Sequence, residues 1–568
     1  MEKRWEIAAS PDEKLTESLS RALNVNHDLA ALLINRGITA FDEAKHFFRP
    51  DINSLHDPFL MKDMDRAVNR LTEAIAADEK ILIYGDYDVD GTTSVSLMML
   101  FLQKLISDIE YYIPDRYSEG YGLSEKGIRW AAENEFSLII SLDCGIKAVD
   151  KAELSKELGI DLIICDHHLP GEQLPDAYAV LDPKRKDCKY PYKELCGCGV
   201  GFKLLQGLCL QQSIPFEKLF DIIDLVAVSI ASDIVPITGE NRTLAYYGLK
   251  KLNTSPLPGL LELMAVAGKK PPLTISDIVF YVGPRINAAG RLTHAKESVR
   301  LLICDDEKVI KSFSDQLNQT NLDRRTFDHA ITEEALDLIA NNSEVDSLKS
   351  TVLFKEDWHK GVIGIVASRC MESYYRPTII LTQSNGKATG SARSVEGFDI
   401  YQAIDACGDL LEQYGGHTHA AGLTMSIENI PAFRKRFEEY VQKNILPEQQ
   451  QPKIEIDRKV NFPFVNFKTL NILKQMAPFG PHNMQPIFVT EDVILAAPAR
   501  VLKDTHLKLQ VRQADNPKVL DAIGFGMANH AMALDKGAPF RLAYQIVENN
   551  YMGNKSLQLM IKDIKYYG

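Results

Sequence analysis

The sequence lacks the features that mark disulfide-rich, membrane and secreted proteins. Its 568 residues include nine cysteines, too few for a disulfide scaffold in a chain of this length, and they read as reduced thiols. Its apolar runs, such as residues 136–142, are about a third of the ~20 residues that a bilayer-spanning helix needs. The charged first residues lead into no apolar segment of a secretory signal. We therefore expect a cytoplasmic protein with no membrane contact.

The cysteines also lack the spacing of a structural zinc site. Cys196 and Cys198 form one C-x-C pair, and no second pair matches it. Structural zinc sites usually draw four ligands from two such pairs. We interpret these two cysteines as packing residues.

Positive charge is in deficit over the whole chain, with 64 Lys and Arg against 77 Asp and Glu, a net charge of −13. Taken alone, this balance argues against a nucleic-acid partner. The distribution argues otherwise, because residues 453–568 carry 15 basic and 10 acidic side chains, which is +5, and the remainder carries −18. A basic segment is what binding to phosphates requires.

The order of apolar runs predicts several domains. Short apolar runs at residues 81–84, 109–113, 137–142 and 161–165 alternate with helical patterns, which is typical of βαβ units and a parallel sheet. Residues 305–342 contain neither Gly nor Pro and predict one or two long helices between two domains. A second α/β segment follows, and short β-like runs after residue 452 predict a small all-β barrel.

The strongest chemical signal is the sequence Asp86-Tyr87-Asp88-Val89-Asp90-Gly91 directly after an apolar strand. In extended backbone, alternate residues face the same way, so three carboxylates would converge. Divalent cations usually relieve the resulting repulsion. The alternatives are a solvated acidic turn or a single calcium loop, although an EF-hand would need Glu where Leu97 stands. The stretch after Asp90 is expected to open a helix whose N–H groups suit a phosphate.

Polar side chains follow three further apolar runs, all of which we interpret as strands. Asp143, the sequence Asp166-His167-His168, and Asp233 stand at these ends. Ligands of open α/β sheets bind at the carboxyl ends of strands, so these side chains are expected to share one crevice. Each alone is better explained as a helix cap or as a core or surface residue, and only the coincidence of four such positions favours a shared site. Carboxylates and imidazoles without thiolates favour Mn²⁺ or Mg²⁺, and two such ions promote hydrolysis of phosphate esters.

These motifs together resemble the DHH phosphoesterase superfamily. The ordered set across residues 80–425 is similar to its bacterial branch of single-strand-specific 5′→3′ DNA exonucleases, with support from residues 114–123, 231–236, 283–292 and 415–422. The tail, with residues 478–481, is similar to that branch's OB-fold. The resemblance implies an N-terminal helical region (1–60), a DHH parallel-sheet domain (61–304), connecting helices (305–345), a DHHA1-like α/β lobe (346–446) and an OB-fold DNA-binding domain (453–568). It also implies that the extra C-terminal domain of longer relatives is lacking.

The resemblance also assigns roles to individual residues. The implied metal ligands, for two Mn²⁺ or Mg²⁺ ions, are Asp86, Asp88, Asp90, Asp143, His167 and Asp233. His168, Asp143 and Asp86 are the implied catalytic residues, with His168 as a general acid that contacts the scissile phosphate. The implied contacts to phosphate and DNA are Asn287, Arg291, Arg393 and His417. Independently of the resemblance, stacking on barrel aromatics is a sequence-tolerant way to hold single-stranded DNA, for which Phe488, Tyr544 and Tyr551 are candidates, although each taken singly is more typical of a core residue.

The implied function is hydrolysis of single-stranded DNA from its 5′ end, by a two-metal mechanism, in recombination and repair. The implied partners are single-stranded DNA, a single-strand-binding protein and a RecQ-type helicase, and the chain is expected to be monomeric and bacterial. One alternative is a DHH phosphatase that acts on short oligonucleotides or cyclic dinucleotides, but such chains typically end after the second lobe. Another is a non-catalytic DNA-binding scaffold, which predicts lost metal ligands, and none is lost here.

Overall fold

The computed structural model describes residues 1–343, 345–535, 537–551 and 553–567. The chain divides into two units, one formed by residues 7–318 and the chain from 455 onward, the other by residues 1–6 and 319–454. The helix Glu307–Ala340 begins in the first unit and ends in the second. Strand Arg4–Ile7 pairs with Lys453–Ile456. Within the described residues, no helix is both long and apolar enough to cross a membrane.

A five-stranded parallel sheet organises the larger unit. The side chains of successive residues, such as Ile83 and Tyr84, face two separate hydrophobic cores on opposite sides of the sheet. The central strands are therefore buried on both sides, as is typical of parallel sheets. This confirms the predicted parallel-sheet domain. In spatial order the strands are Ile109–Tyr112, Ile81–Gly85, Leu138–Leu142, Asp161–Cys165 and Ala179–Leu181. The helices that precede, alternate with or follow these strands are Met64–Ala76, Val89–Leu102, Glu125–Glu133, Val149–Glu157 and Gly197–Gln212.

The apolar run at residues 225–231 is a helix, Ile223–Ser232, and the prediction of a strand there is wrong. All residues from Ile223 to Ala231 are buried, and a run that is apolar all round cannot be assigned to helix or strand by periodicity. Further helices of this unit are Glu217–Phe220, Gly239–Thr254, Pro258–Val266, Ile275–Asp277, Gly283–Leu292 and Lys296–Ile303, with a π-helical turn at Ile278–Val282.

The C-terminal strands form a closed barrel, as predicted. Strand Phe488–Leu502 pairs with Phe540–Tyr551 and thereby closes the sheet on itself. The other barrel strands are His506–Gln513, Leu520–Gly524 and Asn554–Tyr566, with the short strand Arg458–Lys459 and helices Phe467–Gln475 and Ala531–Leu534 beside them. The N-terminal helices Glu13–Leu23, His27–Ile34 and Phe41–Phe48 contribute to the same hydrophobic core as the barrel.

The smaller unit contains a second mixed sheet, which confirms the predicted second α/β lobe. Its strands, in spatial order, are Gln413–His417, Ala420–Met425, Lys387–Arg393, Thr378–Ser384 and Thr351–Phe354. Only the last pair is parallel. Helices Ile363–Tyr374, Ile400–Asp405 and Ile430–Asn444 complete this unit, together with part of Glu307–Ala340.

Candidate metal centre

One imidazole nitrogen faces three carboxylates at the carboxyl ends of the parallel strands. His167 Nε2 lies 3.1 Å from Asp143 Oδ1, 3.7 Å from Asp90 Oδ2 and 3.5 Å from Asp233 Oδ2. His167 and Asp143 follow neighbouring strands, whereas Asp233 follows the helix Ile223–Ser232. The crevice therefore forms where the strand-end rule places it, with one member supplied by a helix.

Two sets of three donors lie close enough together to hold metal ions. In one set the donor atoms of Asp143, His167 and His168 all lie within 4.8 Å of one another, and in the other those of Asp90, His167 and Asp233 do. His167 belongs to both sets. Two adjoining sets with oxygen and imidazole donors are what a pair of Mn²⁺ or Mg²⁺ ions requires.

Unsatisfied buried atoms provide a test of whether these residues suit a cation. Asp86 Oδ2, His167 Nδ1 and Asp233 Oδ2 are buried and form no hydrogen bond. Unpaired buried carboxylate oxygens are costly, because desolvation is not offset by any partner. A divalent cation would offset that cost, so the donor set fits such ions.

The electrostatics of the cluster agree with this test. Burial raises the pKa of Asp143, and the charges of Asp90 and Asp88 raise it further. Burial and the same two neighbours also raise the pKa of Asp233. Burial, with an adjacent carboxylate in each case, raises the pKa of Asp86 and of Asp88, while burial lowers that of His167. Several groups thus resist their charged forms until a cation compensates them.

The backbone of the acidic turn was expected to be extended, but in the structure it is not. Asp86 follows strand Ile81–Gly85, Asp88 is the N-cap of the helix Val89–Leu102, and Asp90 lies in its first turn. The helix thus begins before Gly91, because acidic residues stabilise a helix N-terminus. Asp88 Oδ1 accepts a hydrogen bond from the Gly91 N–H at 3.0 Å. Asp86 and Asp88 lie on this turn but belong to neither set of three donors.

His168 is held by the carboxylate that precedes it. Its Nδ1 lies 2.8 Å from Asp166 Oδ1, and its side chain is about half exposed. Burial alone would raise the pKa of Asp166, but the hydrogen bond and charge of His168 and the N–H of Ile146 lower it to about 2. For His168, burial is outweighed by the Asp166 contact, which raises its pKa. Asp166 is thus an orienting group, and the other ring nitrogen of His168, Nε2, lies 3.3 Å from the Tyr121 hydroxyl.

The predicted phosphate contacts of the larger unit lie on one helix, Gly283–Leu292. Asn287 and Arg291 are four residues apart and so share a face. A side-chain carbon at Gly290 would lie 2.6 Å from the Tyr87 carbonyl oxygen, so this helix packs directly on the acidic turn. Asn287 and Arg291 therefore lie on a helix that contacts the acidic turn of the metal-binding region.

The predicted phosphate contacts of the smaller unit lie together at one end of its sheet. Ala420 pairs with His417 on one side and with Arg393 on the other. Arg393 Nη1 donates to Ser391 Oγ at 2.9 Å and to the Ala392 carbonyl at 2.7 Å. A side-chain carbon at Gly364 would lie 2.9 Å from Arg393 Nη2. His417 is exposed and accepts a hydrogen bond from the His419 N–H at 3.3 Å.

The prediction that barrel aromatics stack on bases is wrong for two of the three candidates. Phe488 and Tyr544 are fully buried in the barrel core, because both project to its inner face. The side chain of Tyr551 lies outside the described residues. Phe525 and Tyr567 are instead exposed.

Two residues beside the cluster are not predicted from the sequence. Asp182 follows strand Ala179–Leu181 next to Asp166, is fully buried, and has an unpartnered Oδ2. Burial raises its pKa to about 7. The strand-end rule that identified Asp143 could have found it, had the three-residue run been recognised. Tyr121 has no such signal, yet its hydroxyl lies 3.3 Å from His168 Nε2 and 3.1 Å from the Asp143 carbonyl.

A parallel sheet with carboxylates and paired histidines at its strand ends defines a phosphoesterase of the DHH class. The family model "DHH family, N-terminal domain" matches residues 80–230, "DHHA1 domain" matches 347–443, and "RecJ OB domain" matches 456–563. The chain is 37% identical over 99% of its length to the single-stranded-DNA-specific exonuclease RecJ of Bacillus subtilis, of which it covers 70%. The chain belongs to the RecJ family.

Solved structures agree with this assignment. The chain superposes on RecJ from Thermus thermophilus in complex with Mn²⁺ with a TM-score of 0.86 and 27% identity, over 100% of this chain and 80% of that one. For the same protein in complex with Mg²⁺, the TM-score is 0.79 with 26% identity, over 100% and 79% of the two chains. The predicted α/β class with two lobes and a C-terminal OB-fold is confirmed.

Proposed function

We propose that this protein hydrolyses the phosphodiester bonds of single-stranded DNA from the 5′ end, with two Mn²⁺ or Mg²⁺ ions. The observation that carries the proposal is the cluster of Asp90, Asp143 and Asp233 around His167 Nε2. Similarity to an exonuclease named for single-stranded DNA supports the substrate. Similarity to RecJ structures that contain Mn²⁺ or Mg²⁺ supports the metals. The 5′→3′ direction, and a role in recombination and repair, rest on the family alone.

The residues of the cluster have different proposed roles: metal ligands, a general acid and the groups that orient it. The proposed ligands are Asp86, Asp88, Asp90, Asp143, His167 and Asp233. When bound, the two ions activate water and stabilise the charge that develops on the phosphoryl oxygens. His168, oriented by Asp166 through Nδ1, is placed to contact the scissile phosphate and give a proton to the leaving oxygen. Asp143, which contacts His167 and lies near His168, fixes the two histidines relative to each other.

Phosphates away from the cluster are assigned to two groups of side chains. Asn287 and Arg291 share one face of a helix that packs on the acidic turn. Arg393 and His417 flank Ala420 at one sheet end in the smaller unit. Gly415, two residues before His417, has open space where a side chain would lie, which leaves room for a phosphate to approach the backbone. Arg and His side chains bind phosphates through charge-assisted hydrogen bonds.

Two alternative functions make different predictions. A phosphatase of short oligonucleotides would not need the basic barrel, whose span from residue 453 carries a net charge of +5. That barrel favours long single-stranded DNA. A scaffold without catalysis would not need two complete donor sets.

The test compares four substrates: 5′-labelled and 3′-labelled single-stranded DNA, blunt duplex DNA and a dinucleotide. Each is incubated with Mn²⁺, with Mg²⁺ and with EDTA. We expect single-stranded DNA alone to be degraded efficiently, the 5′ label to be released first, and EDTA to abolish hydrolysis. Faster hydrolysis of the dinucleotide would favour the phosphatase, and binding without hydrolysis would favour the scaffold.

The cellular setting is also a proposal. The family points to a bacterial cytoplasmic enzyme that acts as a monomer with a single-strand-binding protein and a RecQ-type helicase. These proteins would supply single strands as its substrate. Sedimentation of the purified chain with and without such a protein tests both points.

A further inference from the structure

The side chain of Asp90 is enclosed by three hydrogen-bond donors from two other helices. The Gly197 N–H donates to Oδ2 at 2.6 Å, and the Cys198 N–H donates to Oδ1 at 2.8 Å. The Ser229 hydroxyl donates to Oδ1 at 2.6 Å. All of these groups are buried. We call Gly197, Cys198 and Ser229 the carboxylate cradle.

The two N–H groups are available because they begin the helix Gly197–Gln212. The first N–H groups of a helix have no partner within it, and they favour a negative charge. Cys196 caps this helix, since its sulfur accepts from the Gly199 N–H at 3.2 Å. The motif Cys196-Gly197-Cys198, which the sequence analysis interpreted as packing, therefore directs two donors at Asp90.

Ser229 is a polar residue inside the apolar helix Ile223–Ser232. Its hydroxyl oxygen lies 2.6 Å from Asp90 and 2.9 Å from the Cys196 sulfur. A hydroxyl has one proton, and the shorter contact to a carboxylate oxygen takes it. The thiol of Cys196 is then the donor to Ser229, so the cap of one helix and the hydroxyl of another support the same carboxylate.

The same turn also contacts a second proposed ligand. A side-chain carbon at Gly197 would lie 2.6 Å from the Asp143 Cβ and 2.9 Å from its Cα. Such contacts are too short for any residue with a side chain. The turn that donates to Asp90 therefore lies directly against Asp143.

Asp90 keeps the capacity to bind a cation within this cradle. Each carboxylate oxygen has two lone pairs, and Oδ2 accepts only the Gly197 N–H while it lies 3.7 Å from His167 Nε2. Outer partners of this kind commonly orient metal ligands and tune their affinity.

We propose that Cys196, Gly197, Cys198 and Ser229 are positioning residues that fix Asp90 and Asp143 at the separation the metal centre requires. The inference rests on the proposed function, since it gives these residues a role toward the proposed ions. A purely structural role, as a buried helix cap, makes a different prediction: the fold would be weakened, but Mn²⁺ affinity would not change.

The test is Ser229→Ala in the full chain, with Ser96→Ala as matched control. Ser96 is equally buried, lies on the same helix as Asp90, and bonds only to the Thr92 carbonyl, at 2.7 Å. Mn²⁺ binding without DNA is measured from the electron paramagnetic resonance signal of the free ion. Hydrolysis of single-stranded DNA is measured at saturating Mn²⁺.

We expect Ser229→Ala to weaken Mn²⁺ binding about 10- to 100-fold, as for other outer partners of metal ligands. Its kcat should fall while KM for DNA is retained, and Ser96→Ala should match wild type in both.

A second pair of variants covers the case in which Ser229→Ala does not fold. Cys196→Ala removes the thiol, and Cys196→Ser keeps a donor and a cap at the same position. We expect Cys196→Ala to weaken Mn²⁺ binding and Cys196→Ser to restore most of it. Equal Mn²⁺ affinity in wild type and in all folded variants at both positions would overturn the inference and leave the proposed function standing. If the wild type itself bound no Mn²⁺, the proposed function would fail, and the inference with it.

Discussion

The hydroxyl of Tyr121 lies 3.3 Å from Nε2 of His168, the ring nitrogen opposite the one that contacts Asp166. The same hydroxyl donates to the Asp143 carbonyl at 3.1 Å. Tyr121 and His168, the histidine proposed as general acid, are both about half exposed. The Tyr121 hydroxyl therefore sets the direction in which His168 presents Nε2.

Replacing Tyr121 by Phe tests this orientation. The variant keeps the ring and loses the contact with His168 and the hydrogen bond to the Asp143 carbonyl, so we expect kcat on single-stranded DNA to fall about 2- to 10-fold with KM little changed. Tyr414→Phe is the control, because it removes a hydroxyl that bonds to Asp405 at 2.7 Å in the other unit. A kcat for Tyr121→Phe equal to that of wild type would remove Tyr121 from the proposed mechanism.

Asp143→Asn is expected to separate function from stability. Activity with Mn²⁺ should fall about 100-fold or more, a larger loss than most outer partners give. Without metal, the variant should unfold at a higher temperature than wild type at pH 8, because it removes one of several carboxylates that repel one another. Added Mn²⁺ should stabilise wild type more than the variant, which keeps only the donor set Asp90, His167 and Asp233.

Calorimetry in EDTA and in Mn²⁺ measures both effects. Asp176→Asn, at an exposed carboxylate paired with Lys156, is the control and should behave as wild type. If Mn²⁺ stabilised Asp143→Asn as much as wild type, Asp143 would not be a ligand.

The strand-end rule identified Asp143 and His167 from sequence because each directly follows an apolar run that is a strand. Asp233 was also predicted to lie in this crevice, but the apolar run before it was taken for a strand. That run is a helix, and Asp233 lies at its end, in the same crevice. Ser229 and Asp90 are 139 residues apart, and no local pattern reports contacts at that distance. Tyr121 was likewise hidden, because its role depends on how its loop packs against His168.

The pH dependence of stability tests the buried carboxyl group of Asp182. Its pKa is raised to about 7 by burial, above the ~4 of an unfolded chain. The folded state therefore holds the proton more tightly, so Asp182 should lower stability as pH rises from about 4 to 7, by at most about 4 kcal/mol. In Asp182→Asn this slope should be shallower in EDTA.

Chemical denaturation at pH 4, 5.5, 7 and 8 measures the slope. The Asn variant keeps an oxygen for the Lys184 N–H, which donates to Oδ1 at 2.6 Å. At pH 4 the carboxyl group is protonated in the folded state and about half protonated in the unfolded state, so the variant should gain least there. Parallel curves for wild type and Asp182→Asn would show that Asp182 titrates normally.

The N-terminal helices should be required for the stability of the barrel. Leu32 is fully buried in the core that the helices share with the barrel strands. Leu32→Ala should cost about 2–5 kcal/mol, as for other buried leucines. Leu169→Ala, at a residue that is 71% exposed, should change stability by less than about 0.5 kcal/mol. Equal unfolding midpoints for the two variants would mean that the helices and barrel do not share a core in solution.

On the exposed face of the barrel, Phe525 is a candidate for base stacking in place of the buried Phe488 and Tyr544. Phe525 follows strand Leu520–Gly524, is 56% exposed, and packs edge-on against His506 at 5.2 Å. On the neighbouring strands Arg500 and Lys508 are directly paired and both exposed. Two like charges opposite each other destabilise a sheet, and a phosphate would relieve that repulsion.

Phe525→Ala should therefore weaken binding of single-stranded DNA about 5- to 150-fold, the loss of ~1–3 kcal/mol for one stacked base. Binding is measured by fluorescence anisotropy with a labelled oligonucleotide in EDTA, so that hydrolysis does not interfere. Phe467→Ala is the matched control, because Phe467 is 46% exposed on a helix beside the barrel. If both variants bound DNA as tightly as wild type, this face would not be the stacking surface. A loss for Phe525→Ala alone would assign the role once expected of Phe488 and Tyr544 to a residue that DNA can reach.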